Sequence, residues 1–417
     1  MQRVNAYANT AIDGDNGAVT RDVVILGSTG SVGTQAIDIA RRNRDRFRIV
    51  GLAAGGDRPG LLAEQALDLG VEVVGIAKAS SLEDVQLAIF AAAQRRDYDR
   101  GDFSMPKLLA GADAAEQVAA WQSDLVLNGM TGSVGLAPTL AALDAGRTLA
   151  LANKESLIAG GPLVKARAKP GQIIPVDSEH SAIAQCLRSG ATAEVRKLIL
   201  TASGGPFRGR QRGDLADVTV EQAMAHPTWD MGPVITINSA TLINKGLELI
   251  EAHWLFDLDY DAIDVVVHPQ SVIHSMVEFI DGSTIAQASP PDMHLPIALA
   301  MAWPDRVDRA APAVDWSQSA AWTFEPLDHA NFPAVELAKS AGRAGGTKTA
   351  VLNAANEEAV DAFVAGKLPF LGIVDTVADV VESHESLMNV STLADVRDAE
   401  DWARAMVHER VKKGSNA

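Results

Sequence analysis

The 417-residue chain carries a single cysteine, Cys186. Intrachain disulfides and thiolate zinc sites are thereby excluded, and a reducing, cytoplasmic compartment is the natural expectation. Basic charge is scarce: 36 Lys and Arg stand against 53 Asp and Glu, for a formal net charge of −17. A general nucleic-acid binder needs a basic footprint for the phosphate backbone, so that class is set aside. Docking on anionic lipid fails on the same ground. A phosphorylated small substrate remains open, because a few local Lys or Arg residues can override the overall field. Long apolar runs are missing too. The stretch Leu295–Trp303 is typical, and it is far short of the ~20 residues that span a bilayer as a helix. The first twenty residues are polar and Gly-rich, without an apolar signal core and with too little Arg for a transit peptide. They read as a flexible leader. No internal repeat is visible.

What is present alternates. Strand patterns at Arg21–Leu26, Phe47–Ala54, Val71–Ile76, Asp124–Leu127 and Thr148–Leu151 are separated by Ala/Leu-rich helical patterns. That rhythm predicts a parallel α/β sheet with helices on both faces, a Rossmann-like domain over 21–171. Between Val85 and Gly111 the alternation is poor and "QRRDYDRGDF" is highly charged, which reads as a surface insertion. From Gln172 shorter strands (Gln172–Val176, Lys197–Thr201, Ile263–Val267, Val272–Phe279, Ser283–Ala288) mix less regularly with helices. An α+β domain for catalysis, metal and dimerisation is expected over 172–305. An Ala/Pro/Ser-rich linker follows over 306–328, and amphipathic patterns then predict a small helical bundle over 329–417.

"DVVILGSTGSVG" places Gly27, Gly30 and Gly33 directly after the first strand and before a helix. This is the context a dinucleotide fingerprint requires, with a GxxGxxG spacing in place of the usual GxGxxG. Glycines permit the tight turn and a close approach to the pyrophosphate, and the helix N-terminus offers free N–H groups. A purely structural turn is the alternative. An NAD enzyme usually ends its second strand on an acid for the ribose 2′-OH. Here "LAAGGDRPG" has Ala54, Gly55 and Gly56 at that point, with Arg58 close behind, which favours NADP.

Three segments carry the remaining chemistry: "LANKES" (Leu151–Ser156), "VDSEHSA" (Val176–Ala182) and "INSATLINKGLELIEAHW" (Ile237–Trp254). In the third, Asn244, Lys245 and Glu248 are spaced to share one helical face. They form either a surface ion pair of little energetic weight or part of a site. In the second, a serine nucleophile would need a sharp elbow and an oxyanion hole, and neither is visible. Two readings of it stay open. Asp177 or Ser178 caps the following helix, or Asp177 and Glu179 are oxygen ligands for a hard cation such as Mg²⁺ or Mn²⁺. "TASGGPFRG" after a strand is a plausible anion cradle. "AHPTWDMGP" is either a connecting loop or a lid with Pro/Gly hinges and a bulky Trp cover.

Taken in order, "GSTGSVG", "LANKESL", "VDSEHSA", "ASGGPFR", "HPTWDMG", "SATLINKGLE", "HPQSVIHSMVEF" and "SPPDM" make the chain closely similar to the 1-deoxy-D-xylulose 5-phosphate reductoisomerase family from about Asp22 to the last helices. The resemblance implies a divalent metal on Asp177, Glu179 and Glu248. It implies that Lys154 and Ser178 bind the hydroxyl and carbonyl region of a sugar-phosphate substrate, with Lys154, Glu179, Glu248 and His226 as the catalytic set. Ser203, His226, Ser239, Asn244 and Lys245 would hold the substrate, largely its phosphate, under Trp229 of the lid. NADPH would contact Thr29, Gly30, Ser31, Val32, Gly55, Gly56, Asn153, Glu155, Gly232 and Met293. A homodimer is implied, with the contact near His268–Phe279.

The family isomerises the ketose phosphate by moving a carbon fragment and then reduces the resulting aldehyde with NADPH. Negative charge on oxygen must be stabilised as the carbon–carbon bond breaks, which suits a chelated metal beside a lysine. Two departures stand out. Many members carry a basic residue where this chain has Gly56, so 2′-phosphate recognition falls to other groups such as Arg58. Asp230 in the lid is more often uncharged or basic. Against this reading stand a plain NADP-dependent dehydrogenase and a non-enzymatic sugar-phosphate sensor. The first needs no Asp/Glu/Glu set, and the second would be free to lose Lys154 or Glu248.

Overall fold

The computed structural model describes residues 20–96, 98, 103–229 and 232–414. The leader segment 1–19 and Asp230 lie outside the described residues. The first half alternates β1 (Arg21–Leu26), α1 (Ser31–Arg42), β2 (Phe47–Ala54), α2 (Pro59–Leu69), β3 (Val73–Ile76), α3 (Leu82–Arg95), β4 (Lys107–Ala110), α4 (Ala114–Ala119), β5 (Leu125–Asn128), α5 (Leu136–Asp144), β6 (Thr148–Leu151), α6 (Glu155–Arg167) and β7 (Ile173–Pro175). All seven strands pair in parallel, in the order β4-β3-β2-β1-β5-β6-β7. Strands covered on both faces read as continuous apolar runs, and Val23, Val24, Ile25 and Leu26 of β1 are fully buried. Strand order reverses at β1, which lies between β2 and β5. Ligands of open α/β sheets bind beyond the strand ends at such a reversal.

The expectation of a surface insertion over Val85–Gly111 is corrected. Helix α3 buries Val85, Ile89 and Ala92, and β4 pairs with β3 at the edge of the sheet. In α3 the buried positions are flanked by further apolar side chains, Leu87 and Phe90, on the exposed side, which blurs its face. β4 is only half-buried, as an edge strand is, so neither shows a strong pattern.

The second half begins with α7 (Ser178–Cys186), β8 (Val195–Ala202), α8 (Val220–Met224), α9 (Pro233–Ala240) and α10 (Ile243–Phe256). β9 (Ile263–Val267), β10 (Ile273–Phe279), β11 (Thr284–Ala288) and α11 (His294–Ala302) follow. A two-residue β12 (Glu325–Pro326) completes a mixed five-stranded sheet, β11-β10-β8-β9-β12. Helix α11 returns to the first sheet and buries Ile297, Ala298 and Met301 in its core. Helices α12 (Ala334–Ala344), α13 (Lys348–Val364), α14 (Phe370–Ser383) and α15 (Leu393–Gly414) end the chain. They share one core with α10 and the second sheet. Through Ala350 and Val396 they also reach the core on the first sheet's other face. The α/β class, with a Rossmann-like sheet, a central α+β unit and terminal helices, is as the sequence indicated.

Candidate active site

The glycine turn sits at the strand-order reversal. Gly27 has φ +77°, and a Cβ there would lie 2.6 Å from the Gly129 carbonyl of the loop after β5. A Cβ on Gly33 would lie 2.3 Å from the Gly27 carbonyl. Both positions admit only glycine: the first closes the turn and the second packs α1 against it. Gly30 caps α1 without any side-chain cap bond, which leaves N–H groups of the first turn free. Thr29, Gly30, Ser31 and Val32 line this turn, and the Arg58 guanidinium lies over it, donating to the Thr29 carbonyl at 3.2 Å. Gly56 is buried with φ +104°, and a Cβ there would meet Ser81 at 2.7 Å. A basic side chain has no room at that position, which accounts for its absence.

Asn153 is turned inward. Its amide donates to the carbonyls of Met130 (3.0 Å) and Gly132 (2.8 Å) and to Glu155 (2.9 Å). Glu155 accepts in turn from the Gly132 N–H at 3.2 Å, and burial raises its carboxyl. These two side chains shape the loop after β5 from behind. Gly232 caps α9 and Met293 caps α11, the latter packing against the first core.

Lys154, Asp177 and Glu248 converge from the starts of α6, α7 and α10. The Lys154 ammonium donates to Asp177 at 2.6 Å, to Asn244 at 3.0 Å and to Glu248 at 3.4 Å. Lys245 donates to Glu179 at 2.7 Å and also to Glu248. Asn244 donates to Glu248 at 2.5 Å, and the Ser178 hydroxyl to Glu179 at 2.5 Å. Asp177 holds the N-cap position of α7, yet its side chain makes no cap bond; it is committed to Lys154. Leu242 opens α10 in a left-handed conformation at φ 62°, a strained start for a non-glycine residue beside the site.

Electrostatics follow from crowding. Burial and the neighbouring Glu179 push the Glu248 carboxyl up to about 7, against the pull of Lys245 and Lys154. Burial opposes charge on Lys154, but Asp177 and Glu248 hold it well above its usual range. Burial opposes charge on Asp177 too, but Lys154 and His180 hold it well below the usual carboxylate range.

A second group lies apart from the carboxylates. His226 Nδ1 accepts from the N–H groups of Thr228 (3.1 Å) and Trp229 (2.9 Å). Its Nε2 therefore carries the proton and faces the Ser203 and Ser239 hydroxyls, each at 3.1 Å. Burial lowers this histidine's pKa. Trp229, half-buried, meets His274 edge-on at 6.1 Å between ring centroids.

Three family models match nearly end to end. The 1-deoxy-D-xylulose 5-phosphate reductoisomerase model covers residues 23–161, its C-terminal domain covers 173–256, and a further DXP reductoisomerase C-terminal domain covers 288–406. A 1-deoxy-D-xylulose 5-phosphate reductoisomerase of Streptomyces avermitilis is 62% identical over 93% of this chain and 97% of its own length. One from Paenarthrobacter aurescens is 61% identical over 94% and 98%. The chain belongs to the 1-deoxy-D-xylulose 5-phosphate reductoisomerase family. Among solved members, the Zymomonas mobilis enzyme in complex with NADPH superposes with a TM-score of 0.86 at 39% identity, over 94% of this chain and 99% of that one. A DOX-P reductoisomerase in complex with NADPH, fosmidomycin and magnesium gives 0.85 at 34% identity, over 94% and 98%.

Within the reductoisomerase family frame, the donor set fits a divalent cation. Oxygen atoms of Asp177, Glu179 and Glu248 lie within 4.8 Å of one another. Three carboxylates face two ammoniums, a surplus of negative charge that a hard cation would relieve. The turn's free N–H groups and glycine contacts likewise fit a dinucleotide pyrophosphate. Sequence reasoning left His180 without a role and passed over Glu251. Ligand atoms of Asp177, His180 and Glu251 also lie within 4.8 Å of one another. Burial raises Glu251 to about 7, with His180 opposing. The available signal was spacing: Glu251 follows Glu248 by one helical turn on the buried face.

Proposed function

We infer that this chain catalyses the NADPH-dependent isomerisation and reduction of 1-deoxy-D-xylulose 5-phosphate to 2-C-methyl-D-erythritol 4-phosphate. This is a step of the non-mevalonate route to isoprenoid precursors. Asp177, Glu179 and Glu248 hold Mg²⁺ or Mn²⁺, and the β1–α1 turn holds NADPH. The observation that carries the reading is the meeting of three carboxylates and two lysines from three helices, with Lys154 following Asn153, whose amide bonds the loop that packs on the glycine turn. The relative bound to NADPH, fosmidomycin and magnesium supports the same ensemble here.

Lys154 is held by three oxygen acceptors, so its ammonium is aimed before substrate arrives and no reorganisation is needed when charge develops on a substrate oxygen. The Ser178 hydroxyl, which donates to Glu179, is a further donor for the substrate. Ser203, Ser239 and the Nε2–H of His226 make one donor group for the substrate phosphate, and Asn244 and Lys245, beside the carboxylates, are the further substrate-holding donors of this reading. The cation supplies Lewis-acid polarisation of chelated substrate oxygens when bound, and NADPH supplies hydride. Trp229 covers the pocket and excludes water from the reactive stage.

In this reading residues 21–171 serve NADPH, 172–305 serve substrate and metal, 306–328 link, and 329–417 brace both halves. The protein works as a homodimer in the cytoplasm; its single cysteine is buried, which suits a reducing compartment. The deciding experiment follows NADPH oxidation with 1-deoxy-D-xylulose 5-phosphate, with and without Mg²⁺ or Mn²⁺. Turnover is expected only with all three present. Turnover after complete chelation would sink the metal assignment, and none under any metal would sink the reading.

A further inference from the structure

Behind the metal carboxylates lies a pair that the proposed chemistry leaves unused. Glu251 of α10 is fully buried, and neither of its carboxylate oxygens has a hydrogen-bond partner. Its Oε2 lies 3.3 Å from His180 Nδ1 of α7. The His180 ring is itself fully buried and stacks on Phe256 of α10 at 6.3 Å between centroids. Its Nε2 lies 2.8 Å from the backbone carbonyl of Glu248. A carbonyl only accepts, so Nε2 carries a hydrogen. His180 Nδ1 also lies 4.0 Å from Asp177.

The ring therefore touches both helices that carry the cation carboxylates. Asp177 and Glu179 belong to the start of α7, whereas Glu248 belongs to α10. Their mutual distance is set by how α7 docks on α10. His180 fixes that docking through the carbonyl of Glu248, and Glu251 fixes the ring's rotation through Nδ1. Nδ1 and the Glu251 Oε2 meet as a close polar contact at 3.3 Å that falls outside hydrogen-bond geometry, and neither atom has another hydrogen-bond partner among the described residues. A carboxylate buried without a hydrogen bond is expensive, and its contact with His180 puts it directly behind the ligand-bearing helices, where residues outside the ligand set orient the ligands.

We propose that Glu251 is a positioning residue, which locks His180 between α7 and α10 and so holds Asp177, Glu179 and Glu248 at cation-binding spacing. The proposal rests on the metal reading above and adds to it a residue outside the ligand set.

The test compares the full-length wild type with Glu251→Leu, Glu251→Gln and His180→Gln. Mn²⁺ binding without substrate is measured by electron paramagnetic resonance, NADPH affinity by fluorescence, and kcat and KM at saturating Mn²⁺. The wild type binds one Mn²⁺ per chain. Glu251→Leu weakens Mn²⁺ by about 10- to 100-fold, the usual size of such second-layer effects, while NADPH affinity stays as in the wild type. Glu251→Gln stays close to wild type in Mn²⁺ affinity, because its amide can donate to Nδ1 or accept from it. At saturating Mn²⁺ the kcat of Glu251→Leu recovers more than its KM. Wild-type Mn²⁺ affinity in the Leu variant, or a Gln variant as weak as Leu, overturns the proposal. Two Mn²⁺ per chain also overturns it, since Asp177, His180 and Glu251 would then be a second cation site. A wild type that binds no Mn²⁺ overturns the metal reading with it, and is told apart by that. If the Leu variant does not fold, His180→Gln decides: it keeps a donor for the Glu248 carbonyl, loses Glu251, and is expected to show the same loss.

Discussion

Glu248, like Lys154, has three polar side-chain partners in the site. Two ammoniums and one amide point at its two oxygens, and it is 1% exposed. Glu248→Gln keeps the shape and removes the charge. Turnover should fall by more than about a hundredfold, as for loss of a group that acts directly on a metal or on developing charge. NADPH affinity should hold, because the glycine turn belongs to β1 and α1. Steady-state kinetics beside a fluorescence titration check both halves, and retained turnover would remove Glu248 from the chemistry. Trp229→Ala tests the cover in a different way. The ring is half-buried and leans on His274, so its loss should raise KM or lower kcat about tenfold while the melting temperature stays put. Unchanged kinetics would end the lid role. At this scale Lys154, Asp177, Glu179 and Glu248 were legible because each stands in a short motif with a local meaning. Glu251 was not. Its partner lies on another helix, and helical spacing reveals a face without saying what meets it.

Among the elements, α15 makes a contact that helix patterning alone does not show. Glu400 of α15 is largely buried against Ser133 in the loop after β5, the loop that Asn153 and Glu155 hold from the other side. Burial, and then repulsion from Glu357, raise its carboxyl to about 7 from an ordinary 4.5, against the pull of Ser133 and Arg404. The folded state thus prefers the proton more than the unfolded chain does. The stability this group contributes is present below its unfolded pKa and is lost as pH rises through the folded value. Glu400→Gln should raise the melting temperature above wild type at about pH 8, and the gain should shrink towards about pH 5. A variant that melts lower than wild type at the higher pH would refute the buried-charge account. Elements with strong periodicity, such as β1, β2 and α10, were readable from sequence. α3 and β4 were not, because a charged stretch follows one and the edge position of the other leaves it half-exposed.

On the scale of the whole molecule, the alternation of strands and helices disclosed the Rossmann-like half. It could not disclose that α11 returns to the first sheet, or that the terminal helices share a core with α10. Those are matters of which apolar surfaces match, and composition does not encode the match. One surface stays open. Strand β11 is the outer edge of the second sheet, and Thr284, Ile285 and Ala286 on it are exposed. Ile280, in the turn before it, is 68% exposed. An apolar sheet edge is a template for another strand, and a second copy brings the same edge about a two-fold axis. The homodimer is therefore expected to form through β11 and the turn that holds Ile280. Sedimentation velocity should show a dimer for the wild type. Ile280→Asp with Ile285→Lys should weaken it by more than about tenfold, since each isoleucine withdrawn from water is worth about 1.5–3 kcal/mol and the symmetry counts each one twice. Because both isoleucines are exposed and neither belongs to the carboxylate cluster, Mn²⁺ binding should survive in the weakened dimer. A wild-type monomer would sink the dimer itself, and a double variant that still dimerises as tightly would move the interface elsewhere.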